Sequence, residues 1–254
     1  MNHVTIGHFV CDENGHSRGG KPGDQSGKEG RFQSWYAKGS NGKGWQDVFR
    51  AKNKKIRKKI AENMIELVEN PHVGYNQDAR TTLDKEAKKV DYNFKKITVD
   101  CDTDCSQATA ECIIGAGIPV SPDMYTGNEK EIIEGTGEFV TYDGKSYLDS
   151  CQKLKVGDIL FKIGHSAVVV KVQYIISRYI RYQEGKPLMS GEDVSKIQAR
   201  LNKLDKCDLD CDGEYGPKTA AEVVRFQAKK KLSPDGIVGP KTAEALGFWW
   251  EERS

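Results

Sequence analysis

The chain has 254 residues, 37% hydrophobic and 30% charged, which suits one domain of ordinary size and a smaller second one. Thirty-nine basic against 37 acidic side chains leave a formal charge of +2, too little to make nucleic acid the main partner. No apolar run approaches the roughly 20 residues of a membrane span, so no membrane insertion is expected, and "MNHVTIGHFVCDENG" has neither the basic start nor the apolar stretch of a secretory signal.

In chain order, "NGHSRGGKPGDQSGKEG" (14–30) reads as irregular backbone. Phe32, Trp35, Tyr36, Trp45 and Phe49 follow with enough aromatic area to anchor it, so the region 31–49 is expected to be ordered. A helix is predicted from about Trp45 to Glu69, stopped by Asn70-Pro71, and a second from about Gln77 to Lys89. The basic run "KNKKIRKKI" (52–60) reads as a solvated helix face, or as a surface that attracts an anionic polymer such as a cell wall. "ITVDCDTDC" predicts a short strand and turn, and the helix opening near Cys105 ends at Gly115-Ala116-Gly117. "VGDILFKIGHSAVVVKV" (156–172) predicts a strand pair turning at Ile163-Gly164, with His165 opening the second strand.

From Ser190 the texture changes to short helices with an internal repeat. "DGEYGPKTAAEVVRFQ" (212–227) and "DGIVGPKTAEALGFWW" (235–250) share the frame D-G-x-x-G-P-K-T-A, in which Pro217 and Pro240 open helices. Helices are predicted near 191–204, 217–230 and 240–247. The expected organisation is a catalytic domain over 1–176, a linker over 177–187 and a small all-α domain over 188–254.

Seven cysteines, an odd number with no Cys-x-x-Cys and no zinc-like spacing to histidine, read as reduced thiols. A thiol attacks as the thiolate, and the first turn of a helix favours negative charge, so Cys105 sits where a nucleophile belongs. Cys112, two turns further along, reads as core. On these residues alone Cys105 is either a nucleophile or an ordinary buried side chain. Of the five histidines, His165 is the natural base, since it stands at the edge of a well-marked sheet.

"DTDCSQATAECIIGAGI" followed by "VGDILFKIGHSAVVV" resembles the Cys and His blocks of the papain-like cell-wall cysteine hydrolases, the NlpC and CHAP groups. "GGKPGDQSGKE" with "SWY" further resembles a phage-encoded branch. The resemblance implies an α+β fold with the Cys-bearing helix packed on an antiparallel sheet, and no required cofactor. It implies that Cys105 attacks an amide or peptide carbonyl of the wall while His165 acts as base and then acid. A third polar residue normally orients the histidine. Gln173 is the first candidate downstream, but eight strand residues put it roughly 26 Å away. Asp24 and Gln25 of the glycine-rich loop are the alternative orienter or oxyanion donor, with a self-capped turn as the plain reading of that loop.

"PLMSGEDVSKIQARL" with the two repeat frames resembles the small three-helix peptidoglycan-binding domain of wall hydrolases. It implies peptidoglycan as partner, with Tyr215, Trp249 and Trp250 as candidate ligand contacts and Phe226 as core. Asp208, Asp210 and Asp212 have the spacing of half a calcium loop, although the twelfth position is Thr219; an acidic turn is the alternative. Together these features imply a phage endolysin-type peptidoglycan hydrolase, foremost a stem-peptide endopeptidase, that waits in the host cytoplasm before release. An N-acetylmuramoyl-L-alanine amidase and a non-catalytic wall-binding or virion structural protein are the alternatives.

Overall fold

The computed structural model describes residues 1–38 and 43–252. The ordered reading of the loop through 39–42 lies outside the described residues. The chain divides into two compact units, Val4–Val172 and Met1–His3 together with Gln173–Ser254.

The first unit begins with strands β1 (Asn2–Phe9), β2 (Gly30–Ser34) and β3 (Asp47–Ala51), followed by α1 (Lys54–Val68), β4 (Val73–Tyr75) and α2 (Thr82–Lys89). Next come β5 (Cys101–Thr103), α3 (Cys105–Ile114), α4 (Glu129–Gly135), β6 (Phe139–Tyr142) and α5 (Lys145–Leu148). Strands β7 (Ile159–Lys162) and β8 (His165–Ile176) close it. The main sheet runs β2-β1-β8-β7-β3-β6, and the pairs β1–β2, β7–β8, β3–β7 and β3–β6 are antiparallel. The fold is α+β, and β4 and β5 form a separate parallel pair.

Strand periodicity divides the sheet's side chains between two cores. Phe49, Phe161, Val168 and Val170 pack with α1 and α3, whereas Val48, Leu160, Ala167 and Val169 join Val4, Ile6 and Trp45. Burial on both faces explains why the helix expected from Trp45 is in fact β3 followed by α1. All five residues of "DVFRA" are buried, so the run lacks the alternation that marks a half-exposed strand. Asn53 then caps α1 by accepting the Lys55 N–H at 2.8 Å. The second predicted helix likewise starts later, at Thr82.

Asp158 of the "VGDIL" stretch is structural. Its carboxylate receives Arg50 Nε at 2.7 Å and Nη2 at 2.6 Å, a buried bidentate pair joining β3 to the turn before β7. Helix α3 is buried from Cys105 through Ile113 and packs against α1, where Asn63 donates to the Cys112 carbonyl at 3.0 Å. A helix enclosed on all sides is held in a fixed place, as a reactive residue at its first position requires.

The second unit contains α6 (Glu192–Asp205), α7 (Pro217–Lys229), α8 (Pro240–Ala245) and the short β9 (Trp249–Trp250), which runs parallel to Ile175 and Ile176 of β8. Its core is built from Val194, Ile197, Leu201, Tyr215, Val223, Phe226, Val238 and Leu246. Residues 177–187, expected as a linker, contribute the fully buried Ile180, which exchanges backbone hydrogen bonds with Val238 at 3.1 and 2.8 Å. Gly164 takes φ +88° in the turn between β7 and β8, a conformation that favours glycine and sets His165 at the strand's first position.

Candidate active site

Asp104 is the cap of α3. Its Oδ1 accepts the Gln107 N–H at 2.7 Å and the Ser106 hydroxyl at 3.0 Å, and its Oδ2 pairs with Arg80 at 3.1 Å. Cys105 follows as the first helical residue, 7% exposed, and the backbone N–H groups of Ser106 and Ser166 beside its sulfur favour the thiolate. Ser166 is the second residue of β8, directly after His165, so one strand end serves both the thiol and the imidazole. Among the described residues the thiol and the His165 ring are not hydrogen-bonded to each other, as is common before substrate tightens a site.

The group facing His165 is one that the sequence reading missed. His8, at the end of β1 and 3% exposed, places Nδ1 at 2.8 Å from His165 Nε2. Trp45 lies over the other side of the imidazole, with ring centres 5.9 Å apart. With Nε2 engaged, Nδ1 of His165 is the nitrogen left for a thiol proton. In that state Nε2 carries its own hydrogen toward His8, and the His8 hydrogen sits on its buried Nε2, with the Gln33 side chain acting on the ring against the effect of burial.

The electrostatics favour an uncharged resting site. Burial pushes the Cys105 thiol up to about 12, helped by the carboxylates of Asp104 and Glu129, against the two backbone donors. Burial also lowers His165 to about 4, with the charges of Lys162 and Arg31 adding to it, and His8 to about 3. Behind the thiol, Glu129 is fully buried and held up to about 8 by desolvation; Ser166 Oγ donates to its Oε1 at 2.6 Å and lies 3.0 Å from Thr109 Oγ1. Glu129 Oε2 has no partner among the described residues. A cleft of about 280 Å³ opens over the thiol, edged by Arg18, Gln77, Arg80, Tyr125, Thr126 and Gly164.

Several expected site residues stand elsewhere. Asp24 Oδ1 accepts the N–H groups of Ser26, Gly27 and Lys28, and Gln25 donates to the Pro22 carbonyl at 2.8 Å, so both belong to a self-capped turn. The place expected for them beside His165 is taken by His8. The loop is fastened by Glu29, whose buried carboxylate accepts Gln25 N–H at 2.8 Å and Tyr75 N–H at 2.7 Å.

Tyr215 is fully buried and donates to the Gly236 carbonyl at 2.8 Å, which corrects its expected role as a ligand contact. Trp249 is 40% exposed and stacked on His3 at 3.7 Å, and Trp250 meets Tyr179 edge-on at 5.1 Å. The calcium reading finds no support in side-chain geometry. Among the described residues no group of three or more His, Cys, Asp or Glu side chains converges on a cation position. Asp212 Oδ1 instead accepts Gln198 Nε2 at 2.8 Å and Glu214 N–H at 2.9 Å, which engages it in the network of its own repeat.

Comparison with known proteins places these units in context. Residues 6–174 match the endolysin-like domain, and residues 190–246 match a peptidoglycan binding domain. The N-acetylmuramoyl-L-alanine amidase CwlM of Mycobacterium tuberculosis is 38% identical over 72 residues, 28% of this chain and 18% of that protein. The N-acetylmuramoyl-L-alanine amidase CwlL of Bacillus licheniformis is 45% identical over 71 residues, 26% of this chain and 20% of that protein. A protein from the bpoA1 3' region of Kitasatospora aureofaciens is 42% identical over 72 residues, 26% of this chain and 61% of that protein. The chain thus spans less than two thirds of the length of each of these relatives, and no solved structure matches it. Since the first match takes in both the α3 thiol and the β8 imidazole, this chain belongs to the endolysin-like domain family, with a peptidoglycan binding domain following it.

Proposed function

We propose that this protein is a peptidoglycan hydrolase of papain-like type that cuts an amide bond of the wall through Cys105. The observation that carries the reading is the convergence at one strand end: Cys105 opens α3 beside the Ser166 N–H, while the preceding residue, His165, is held by His8. In the reaction the thiol proton passes to His165 Nδ1, and the sulfur bonds to the amide carbon as that proton leaves. His165 Nε2–H donates to His8 Nδ1, which spreads the imidazolium charge without a second proton transfer. The carbonyl oxygen gains charge beside the Cys105 backbone N–H, and the Gln77 amide on the cleft edge is the side-chain donor nearest in kind. The C–N bond then breaks, the leaving nitrogen takes the proton from His165, and water, deprotonated by His165, releases the acyl group from sulfur.

Burial makes the neutral pair the resting state, so the ion pair forms only as substrate covers the cleft and its donors close on the site. At the cleft edge Arg18 pairs with Asp78 at 3.4 Å and Arg80 with Asp104 at 3.1 Å, so the preference for cleavage within the stem peptide rests on the family resemblance and not on a free cation. A second reading, an N-acetylmuramoyl-L-alanine amidase, is favoured by the names of two relatives, each matched over about a quarter of this chain. Mass spectrometry of muropeptides released from purified walls separates them. New amino termini inside the stem peptide support the endopeptidase; free L-alanine amino termini support the amidase; unchanged release by Cys105→Ala overturns the cysteine mechanism.

A further inference from the structure

We infer that the wall polymer is gripped in one of two repeat-related cavities of the C-terminal unit, the one edged by Tyr179, Arg181 and Lys241, through a carboxylate of the polymer and an apolar sugar face laid on the tyrosine. The inference rests on the reading of this chain as a wall-binding hydrolase and names the site that does the binding.

The two D-G-x-x-G-P-K-T-A frames build the same scaffold twice. In the first, Gln198 Nε2 donates to Asp212 Oδ1, the Glu214 carbonyl and Thr219 Oγ1 at 2.8, 3.0 and 3.2 Å, and its Oε1 accepts the Gly213 N–H at 3.0 Å. In the second, Gln227 Nε2 donates to Asp235 Oδ1, the Ile237 carbonyl and Thr242 Oγ1 at 2.9, 3.0 and 3.0 Å, and its Oε1 accepts the Gly236 N–H at 2.9 Å. A cavity lies over each network, about 330 Å³ over the first and about 640 Å³ over the second. Both volumes fall within the range of ordinary ligand sites, roughly 300–1,000 Å³, so the choice between the cavities rests on their rims.

The rims have diverged. Ile180 pairs with Val238, the residue before Gly239, and Met189 accepts from Tyr215, the residue before Gly216. Tyr179 and Arg181 of the larger cavity therefore hold the places of Leu188 and Ser190 in the smaller. Gly239 makes the difference possible, because a Cβ there would fall 2.7 Å from Tyr179 Cε1, whereas at Gly216 the nearest atom is Leu188 Cδ1 at 3.9 Å. Trp250 backs the tyrosine edge-on, so the ring is held although 55% of it faces solvent.

Charge separates the copies further. The smaller cavity is edged by Asp210, Asp212 and Glu214 against Lys218. The larger has Arg181 and Lys241 against Asp235, whose Oδ1 already receives Gln227 and the Ile237 N–H. Among the described residues neither Arg181 nor Lys241 enters a salt bridge. Guanidinium and ammonium groups left open beside an aromatic face fit a polymer that alternates sugars with carboxylate-bearing peptides.

The test uses the full chain carrying Cys105→Ala, so that walls are not consumed, in co-sedimentation with purified peptidoglycan. Tyr179→Leu with Arg181→Ser, which transplants the rim of the smaller cavity, is expected to raise Kd at least about tenfold, and Lys241→Ala several-fold, with thermal unfolding unchanged. Asp210→Asn with Glu214→Gln is expected to leave Kd within about twofold. Walls whose carboxylates have been amidated chemically are expected to bind as weakly as the transplant. Binding by the transplant within twofold of the parent, or indifference to amidation, overturns the assignment. A parent that does not sediment with walls overturns the wall-binding reading itself, and this inference with it.

Discussion

In the unit Val4–Val172, Glu111 Oε2 and Glu129 Oε2 are buried without a hydrogen-bond partner among the described residues. In the C-terminal unit, the buried glutamines 198 and 227 each hold three acceptors and one backbone donor in duplicate networks. An unpaired buried polar group costs on the order of 1–3 kcal/mol. Glu129 is such a group beside Cys105, and its raised proton affinity belongs to the candidate site, whereas Glu111 lies toward the far end of the same helix. The C-terminal unit avoids this cost at Gln198 and Gln227 by repeating one closed network, although Asp205 Oδ2 is buried there without a partner among the described residues. The contrast teaches that stability and reactivity are allotted to different parts of this chain.

The largest effect that tests the contrast is chemical. Cys105→Ala is expected to lower wall clearing by at least about 10³-fold while leaving wall affinity unchanged; turbidity loss and co-sedimentation read the two separately. His8→Ala is expected to lower kcat by roughly 10²-fold with little change in KM, because it frees the His165 ring without altering the cleft, and His8→Asn should recover part of the loss through an amide oxygen facing Nε2. A change in KM alone, with kcat unaltered, would make His8 a packing residue.

In the binding unit the expected loss is one of stability. Gln227→Ala strands the Gly236 N–H and the Thr242 hydroxyl, and denaturant unfolding should show a cost of about 2–4 kcal/mol with clearing of soluble muropeptides intact. The smallest effect is that of pH. Burial raises Glu129 from 4.5 to about 8, so the folded chain binds the extra proton between those values and loses stability as pH rises through them. Glu129→Gln keeps an acceptor for the Ser166 hydroxyl, and its melting temperature is expected to gain a few °C on the parent at pH 8.5 and nothing at pH 4. His165 and His8, lowered from 6.5 to about 4 and about 3, act in the opposite sense: the unfolded chain takes up protons below pH 6.5, and stability falls as pH drops through that window. A Glu129→Gln variant equally stable at pH 4 and pH 7 would break this account.

Local chemistry made much of this legible. Cys105 at the start of its helix, the glycine turn before His165 and the prolines that open α7 and α8 all act within a few residues of themselves, so their spacing carries the message. The strand at Asp47–Ala51 was hidden because burial on both faces erases alternation. Tyr215 was misread for the reason that an aromatic beside a repeat looks alike whether it faces ligand or core.

The sequence by itself determined the helix that carries the thiol, the strand that carries the imidazole and the duplicated frame of the C-terminal unit. Only the tertiary structure decided what holds His165. His8 and His165 are 157 residues apart and meet because β1 and β8 are neighbours in the sheet, a pairing fixed by the burial of both strands and by no motif near either residue. The same is true of the two cavities: the repeat is written in the chain, but the residues that make them differ, Tyr179 and Arg181 against Leu188 and Ser190, lie outside the repeated frames and reach them through backbone pairing.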